Sequence, residues 1–427
     1  MKYYLPTATV LAALIVSGCH GPSSDPGSTA PQGHSATPIK KQAAAAPVKP
    51  SGPPRFEARG LYATGWSAGL PKKLDSLIQI IHRSGLNSLV VDVKDSDGAV
   101  TYYTPDVPLA VEIGACFKEP RKNRCGDIKA ALKKLKDNHI HTIARIVCFN
   151  DPILARHHKE WAILSKAGGI WLGRGKPWVD PTIPQVQQYP IDLAKDAIKQ
   201  GFDEIQWDYV RFPSDGNVKL CKYHHDVGKG QAAIVIAKFL QKAYAMLKPY
   251  GVPVSADIFG LTGTAKSDMG IGQKINPIAD NVDYISPMVY PSHFALGEYH
   301  MPNPNAQPYR TVFLSLRDAH RRISGARAYI RPWIQAFTLH SPRYGPHEFL
   351  EEVKAVRDLN LTGFLCWNAS NKYDIVESAL TSPEGKKVLA DLIAGGPKTP
   401  PAIAAEESSS GKAAEKTSAK SKRKHHG

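Results

Sequence analysis

Eight short runs rich in β-branched and aromatic residues recur along the middle of the chain, with amphipathic stretches between them. The runs fall at 59–66, 88–94, 141–149, 204–210, 252–259, 284–290, 328–336 and 363–368. Helical periodicity occupies about 72–84, 127–138, 190–200, 229–249, 311–323 and 347–359. A strand followed by a helix is the repeating unit of α/β proteins, and eight strands with helices between most of them predict a closed (β/α)8 TIM barrel. The competing arrangement is an open doubly wound sheet. No Gly-x-Gly-x-x-Gly follows the first strand, and the glycine-bearing run 260–272 is too irregular for a phosphate cradle, so nucleotide binding is disfavoured.

The flanks differ in composition. Met1-Lys2 precedes an apolar run over 5–16, which has signal-peptide length and is too short to span a bilayer. Val16-Ser17-Gly18-Cys19 has the form of a bacterial lipobox, so residues 1–18 read as a lipoprotein signal peptide and Cys19 as the lipidated residue. His20 follows in place of the aspartate that favours inner-membrane retention, which predicts the periplasmic face of the outer membrane in a Gram-negative envelope. Residues 19–54 are rich in Pro, Ala, Ser and Gly and read as a flexible linker. Residues 55–396 form the expected single large barrel domain, and residues 397–427 a disordered basic tail with the cluster Lys420-Ser-Lys-Arg-Lys424 near its end. Of the formal charge of +16, the first 54 residues carry +3 and the tail +4, leaving +9 on the domain. Such a surface favours anionic partners: the membrane reached through the lipid on Cys19, and envelope phosphates or acidic glycans met by the tail. Nucleic acid would suit the charge but not the export signal.

Five cysteines remain besides Cys19. Cys116 and Cys125 flank a polar loop and could close a disulfide in an oxidising compartment, while Cys148 and Cys366 lie in apolar runs and pack as small hydrophobes. Their spacings fit no zinc site. His157-His158 and His224-His225 read as surface histidines, so neither a metal nor a cofactor is expected.

The most informative segment is Phe202-Asp-Glu-Ile-Gln-Trp-Asp-Tyr-Val-Arg-Phe-Pro213. Side chains alternate along a strand, so Glu204, Gln206 and Asp208 share one face, and Ile205, Trp207 and Tyr209 the other. Three such polar groups on a buried strand are costly unless they meet partners or a ligand. Asp208 lies towards the strand's C-terminal end, where barrel enzymes carry their active sites. Other strand ends add Asp92 and Lys94 on one face, Arg145, Arg211, Asp257 with Ser255, Tyr290, Trp333 with Gln335, and Trp367-Asn368. Carboxylates, arginines, amides and rings at one rim suit a polysaccharide: rings stack on sugar faces, Arg145, Gln206, Arg211, Gln335 and Asn368 bind hydroxyls, and paired carboxylates carry out proton transfer and attack.

Arg59-Gly-Leu-Tyr-Ala-Thr-Gly-Trp66, Val91-Asp-Val-Lys-Asp95, Ile143-Ala-Arg-Ile-Val147, Trp178-Val-Asp-Pro181, residues 201–213, Ser255-Ala-Asp-Ile-Phe-Gly260, residues 285–291 and Arg331-Pro-Trp-Ile-Gln335 resemble a bacterial family of putative glycoside hydrolase domains. The likeness spans 57–375 in order and implies a glycosidase-like (β/α)8 barrel, without fixing a substrate. The family is similar in turn to envelope lipoproteins that cut peptidoglycan glycan strands. Asn150 departs from the pattern, which has lysine before Asp151-Pro152.

The expected activity is hydrolysis of a glycosidic bond in a cell-envelope or extracellular polysaccharide, peptidoglycan glycan first. Asp208 is the first-choice catalytic carboxylate and Asp257 its partner, with Asp92 and Glu204 in reserve. Glu204 sits earlier on its strand, where it would hold Arg145 or Lys94. Trp66, Trp178, Tyr290, Trp333 and Trp367 are candidate sugar platforms. The alternative is a non-catalytic polysaccharide-binding lipoprotein that uses the same cleft.

Overall fold

The computed structural model describes residues 55–228 and 230–395. The segments expected to be a signal peptide, a linker and a basic tail, Cys19 among them, therefore lie outside the described residues. Eight parallel strands run in chain order: β1 Arg59–Ala63, β2 Ser88–Lys94, β3 His141–Val147, β4 Glu204–Asp208, β5 Val254–Phe259, β6 Tyr284–Met288, β7 in two pieces (Tyr329–Ile330 and Trp333–Gln335), and β8 Phe364–Trp367. Each pairs with its sequence neighbours, and β8 pairs with β1, so the sheet closes. This is the (β/α)8 barrel anticipated above.

Helices cover the outside because parallel neighbours need long crossovers. They are α1 Pro71–Arg83, α2 Ile128–Asp137, α3 Pro184–Gln200, α4 Gln231–Leu247, α5 Ile275–Ala279, α6 Pro308–Arg322, α7 Pro346–Asp358, α8 Asp374–Thr381 and α9 Pro383–Ile393. In α1, Pro71 occupies the first turn, where its missing N–H costs nothing, and Leu74, Leu77, Ile78 and Ile81 bury one stripe. The helix expected to begin at 190 begins at Pro184 instead and carries Pro190 in its interior. A lone proline is tolerated there because the buried stripe on both sides holds the turn. The short α5 and the last two helices were not anticipated from periodicity. No described helix is long and apolar enough to cross a membrane.

Three local departures shape the site. The pairing of β2 with β3 shifts register between Asp92 and Lys94, so Asp92 lies opposite Arg145 but Lys94 lies opposite Ile146. One extra residue in a strand reverses its facing, and Lys94 therefore leaves the face of Asp92 that simple alternation predicts. Strand β4 stops at Asp208 because Tyr209 takes a left-handed φ of 47°. Strand β7 is split at Pro332, which has no N–H to give the ladder. Gly60 sits low inside the barrel, where an added Cβ would approach the Ser88 Cβ to 2.9 Å. Cys116 and Cys125, for which the sequence leaves a disulfide open, are both buried free thiols that pack in the main apolar cluster. Cys148 and Cys366 pack in that cluster as expected.

Candidate functional site

The inward faces of the strands carry a polar interior in two tiers. The lower tier is built on Glu204, the first residue of β4. Its carboxylate takes both terminal guanidinium nitrogens of Arg331 from β7 across the barrel, one at 3.1 Å, together with the Ser255 hydroxyl at 2.8 Å. His141 Nε2 lies 3.3 Å from Oε2. Burial works against the charge on Glu204, but Arg331 and His141 outweigh it and hold the group down at about 2. Glu204 therefore holds neither Arg145 nor Lys94. Lys94, turned outward by the register shift, pairs with Asp151 at 2.9 Å and donates to the Val147 carbonyl at 2.6 Å. This sealed tier belongs to the framework.

The upper tier lies at the C-terminal rim. Arg145 of β3 bridges two carboxylates: Nε and Nη2 donate to Asp208 Oδ2 at 2.9 and 2.5 Å, and Nη1 donates to Asp92 Oδ1 at 2.5 Å. Tyr62 donates to the other Asp92 oxygen at 2.5 Å and stacks on Trp367 at 4.2 Å. The Arg145 guanidinium lies 5.6 and 5.2 Å from those two rings. Burial opposes its charge, yet Asp208 and Asp92 push its pKa well above the usual value. Burial lifts Asp92 to about 7 against the pull of Arg145, with help from Asp95.

Asp257 of β5 sits in a different setting. Gln206 Nε2 and Trp333 Nε1 both donate to its Oδ1 at 2.8 Å. Gln206 also reaches Ser286 Oγ at 3.2 Å. Among the described residues only neutral donors hydrogen-bond this carboxyl. Burial first, and the charge of Asp208 second, raise its pKa well above the ordinary range. Two neighbouring carboxyls with unlike partners, one facing a guanidinium and one facing an amide and an indole, are the arrangement from which acid and base roles separate.

The expected binding residues divide. Gln206 and Arg145 enter the upper tier, while Tyr290 is buried beside Phe337 and His293. Trp333 is 1% exposed. It therefore serves Asp257 as a donor and offers sugar no face. Trp178 is likewise buried. Gln335 accepts from Ser292 N and Oγ at 3.1 and 2.8 Å and donates to the Phe337 carbonyl at 3.0 Å, so it ties a loop rather than facing open space. Asn368 similarly donates to the Ala336 and Lys372 carbonyls at 2.6 and 2.8 Å. Trp367 is half-buried over Tyr62, and Trp66, on the short helix Gly65–Gly69 that follows β1, is 55% exposed. Arg211 is buried among the rings of Trp178, Tyr209 and Phe259.

Sequence reasoning passed over Tyr62, although it shares its face of β1 with Gly60 by the same period-two rule that exposed Asp208. It also passed over Glu352 of α7, a buried carboxyl that burial pushes well up and that accepts the Gln335 N–H at 3.0 Å. Among the described residues one group could hold a metal: Glu112, His157 and His158, whose ligand atoms lie within 4.8 Å of one another. It sits on the surface, its His158 already paired with Glu160 at 2.8 Å, and it shares no residue with the carboxylate tier. A cavity of about 700 Å³ lies outside the barrel against α4 and α5 and is also separate from that tier. Barrel enzymes work at the C-terminal ends of their strands, so the Asp92–Arg145–Asp208–Asp257 group is the candidate site.

Residues 60–373 match a family described as "Putative glycosyl hydrolase domain". No curated protein is similar to the chain. Among solved structures, it is similar to a hypothetical protein from Ruminiclostridium thermocellum ATCC 27405 at 37% identity, over 46% of this chain and 96% of that one, with a TM-score of 0.41. It is also similar to the PgaB (BpsB) glycoside hydrolase domain from Bordetella bronchiseptica at 12% identity, over 81% of this chain and all of that one, with a TM-score of 0.55. That second likeness is one of fold.

Proposed function

Because the chain belongs to the family of putative glycosyl hydrolase domains, we propose that it hydrolyses a glycosidic bond in a cell-envelope polysaccharide, peptidoglycan glycan first, using Asp208 and Asp257 as its working pair. The observation that carries this reading is the unlike setting of the two carboxyls, Asp208 against Arg145 and Asp257 against Gln206 and Trp333. Asp257, its proton retained by burial, protonates the leaving oxygen as the C1–O bond breaks. Asp208 attacks C1 or takes the proton of the attacking water. Arg145 positions Asp208, and Asp92 with Tyr62 positions Arg145. In this reading the lipid on Cys19 and the basic tail keep the barrel at the envelope, and Trp66 is an outlying sugar platform.

The test is release of fragments from purified sacculi, intact and stripped of peptides, with chitin-type and exopolysaccharide glycans alongside. New reducing ends identified by mass spectrometry would establish the bond cut. Binding without release would favour the non-catalytic alternative.

The acid role has a pH signature. A raised carboxyl keeps its proton to higher pH, so kcat/KM falls on the alkaline side as Asp257 ionises. The Trp333 N–H stabilises the ionised form, so Trp333→Phe should move that alkaline limb upward by about one pH unit. A limb that stays in place in the variant would remove Asp257 from the acid role.

A further inference from the structure

Three arginines are buried inside the barrel or at its rim, and two of them are matched by carboxylates. Arg331 holds Glu204, and Arg145 holds Asp208 and Asp92. Arg211, three residues past Asp208, is 5% exposed and has no carboxylate partner among the described residues. It is boxed by rings, with its guanidinium carbon 5.1 Å from the centroid of Trp178 and 4.8 Å from those of Tyr209 and Phe259. Cation–π contact offsets part of its desolvation but accepts no hydrogen bond. Of its donors, Nη1 gives one bond at 3.0 Å to the Phe212 carbonyl. Burial lowers its pKa, and the opposing charges of Tyr209, Asp208 and Asp215 do not cancel that effect.

The Nε and Nη2 groups are left without a protein acceptor among the described residues. They form the side edge of the guanidinium, two parallel N–H groups whose spacing fits the two oxygens of a carboxylate. Arg145 presents that same edge to Asp208. Neither group is among the sealed unpartnered atoms, so this edge of an otherwise buried guanidinium touches solvent, and an anion can reach it and exchange water for two charge-assisted hydrogen bonds. Asp208 is close enough for its charge to act on Arg211, so a singly charged anion is better tolerated there than a dianion.

Building on the glycoside hydrolase reading, we propose that Arg211 is the subsite for a carboxylate carried by the sugar bound next to Asp208, so that the substrate is an acidic glycan. The carboxylate has two possible sources, the ring acid of a uronic acid or the lactyl ether of a muramyl residue. A neutral sugar at this position leaves the cation unpaired. The subsite thus selects by penalty as well as by attraction.

The experiment measures binding and fragment release by the full chain with two probes, peptide-free peptidoglycan glycan strands and oligogalacturonate. Each is compared with its carboxyl-reduced form, in which the acid has become a primary alcohol. One acidic probe should bind about tenfold to a hundredfold more tightly than its reduced form, and the probe that does so names the source. Arg211→Gln should bring that ratio close to one, and Arg211→Lys, which lacks the fork, should restore little of it. Should the variants fold poorly, the native against reduced comparison on the unsubstituted chain, repeated at high salt where attraction to the basic tail and surface is screened, still decides: a preference that survives salt sustains the subsite and one that vanishes overturns it. Equal binding and equal release for native and reduced forms of both probes would overturn the subsite while leaving a glycosidase. A carboxylate-dependent binding ratio with no fragments released would sustain the subsite and sink the hydrolase reading.

Discussion

Asp208→Asn is expected to lower the rate of fragment release from glycan strands by about 10³-fold while leaving the barrel folded. An amide can neither attack C1 nor accept a proton from water, so whichever of these Asp208 does is lost. The fold should survive because Arg145 keeps Asp92, whose carboxyl would then take the whole of the guanidinium's field. Two secondary effects follow from charge. Asp92, now at about 7, should ionise more readily, and Asp257, partly raised by Asp208, should come down. Reducing-end assays on the parent and variant, with thermal melts alongside, measure both consequences. A variant within tenfold of the parent rate would remove Asp208 from the chemistry. A variant that no longer melts cooperatively would mean that the Arg145 bridge is chiefly structural.

The second large effect is on stability. Arg331→Met should cost about 3–5 kcal/mol, because it leaves the Glu204 carboxylate buried with only Ser255 and His141 beside it. The pH dependence checks the assignment. Glu204 is held at about 2, below its ordinary value of about 4.3, so the pair stabilises the fold fully above that ordinary value. The contribution fades as pH falls towards 2. The deficit of the variant in denaturant melts should therefore be widest near neutrality and narrow between about pH 4 and 2. Adding Glu204→Gln to Arg331→Met should recover part of the loss, since a neutral amide is cheaper to bury than a lone carboxylate. A constant deficit across pH would point to lost packing rather than lost pairing.

The class of fold was legible because it depends on short-range signals. Strand and helix periods of 2 and 3.6 residues are local, and eight strands with helices between most of them have few closed solutions. The same local rule put Glu204, Gln206 and Asp208 on one face, and all three do line the interior. It failed wherever one residue changed the count. The register shift after Asp92 sent Lys94 through the wall to Asp151, and the left-handed Tyr209 ended β4 at Asp208. Trp333 and Gln335 lie on the inward face as alternation requires, but burial made one a donor to Asp257 and the other a loop tie.

What the sequence determined by itself was therefore which side chains enter the barrel and at which end of each strand they sit. Tertiary structure alone decided which of them meet. Glu204 and Arg331 are 127 residues apart, and Asp92, Arg145 and Asp208 come from three different strands. Strand parity is a property of a few consecutive residues. Partner choice, and with it the separation of a guanidinium-bound Asp208 from a neutrally held Asp257, depends on how eight strands stagger as the sheet closes.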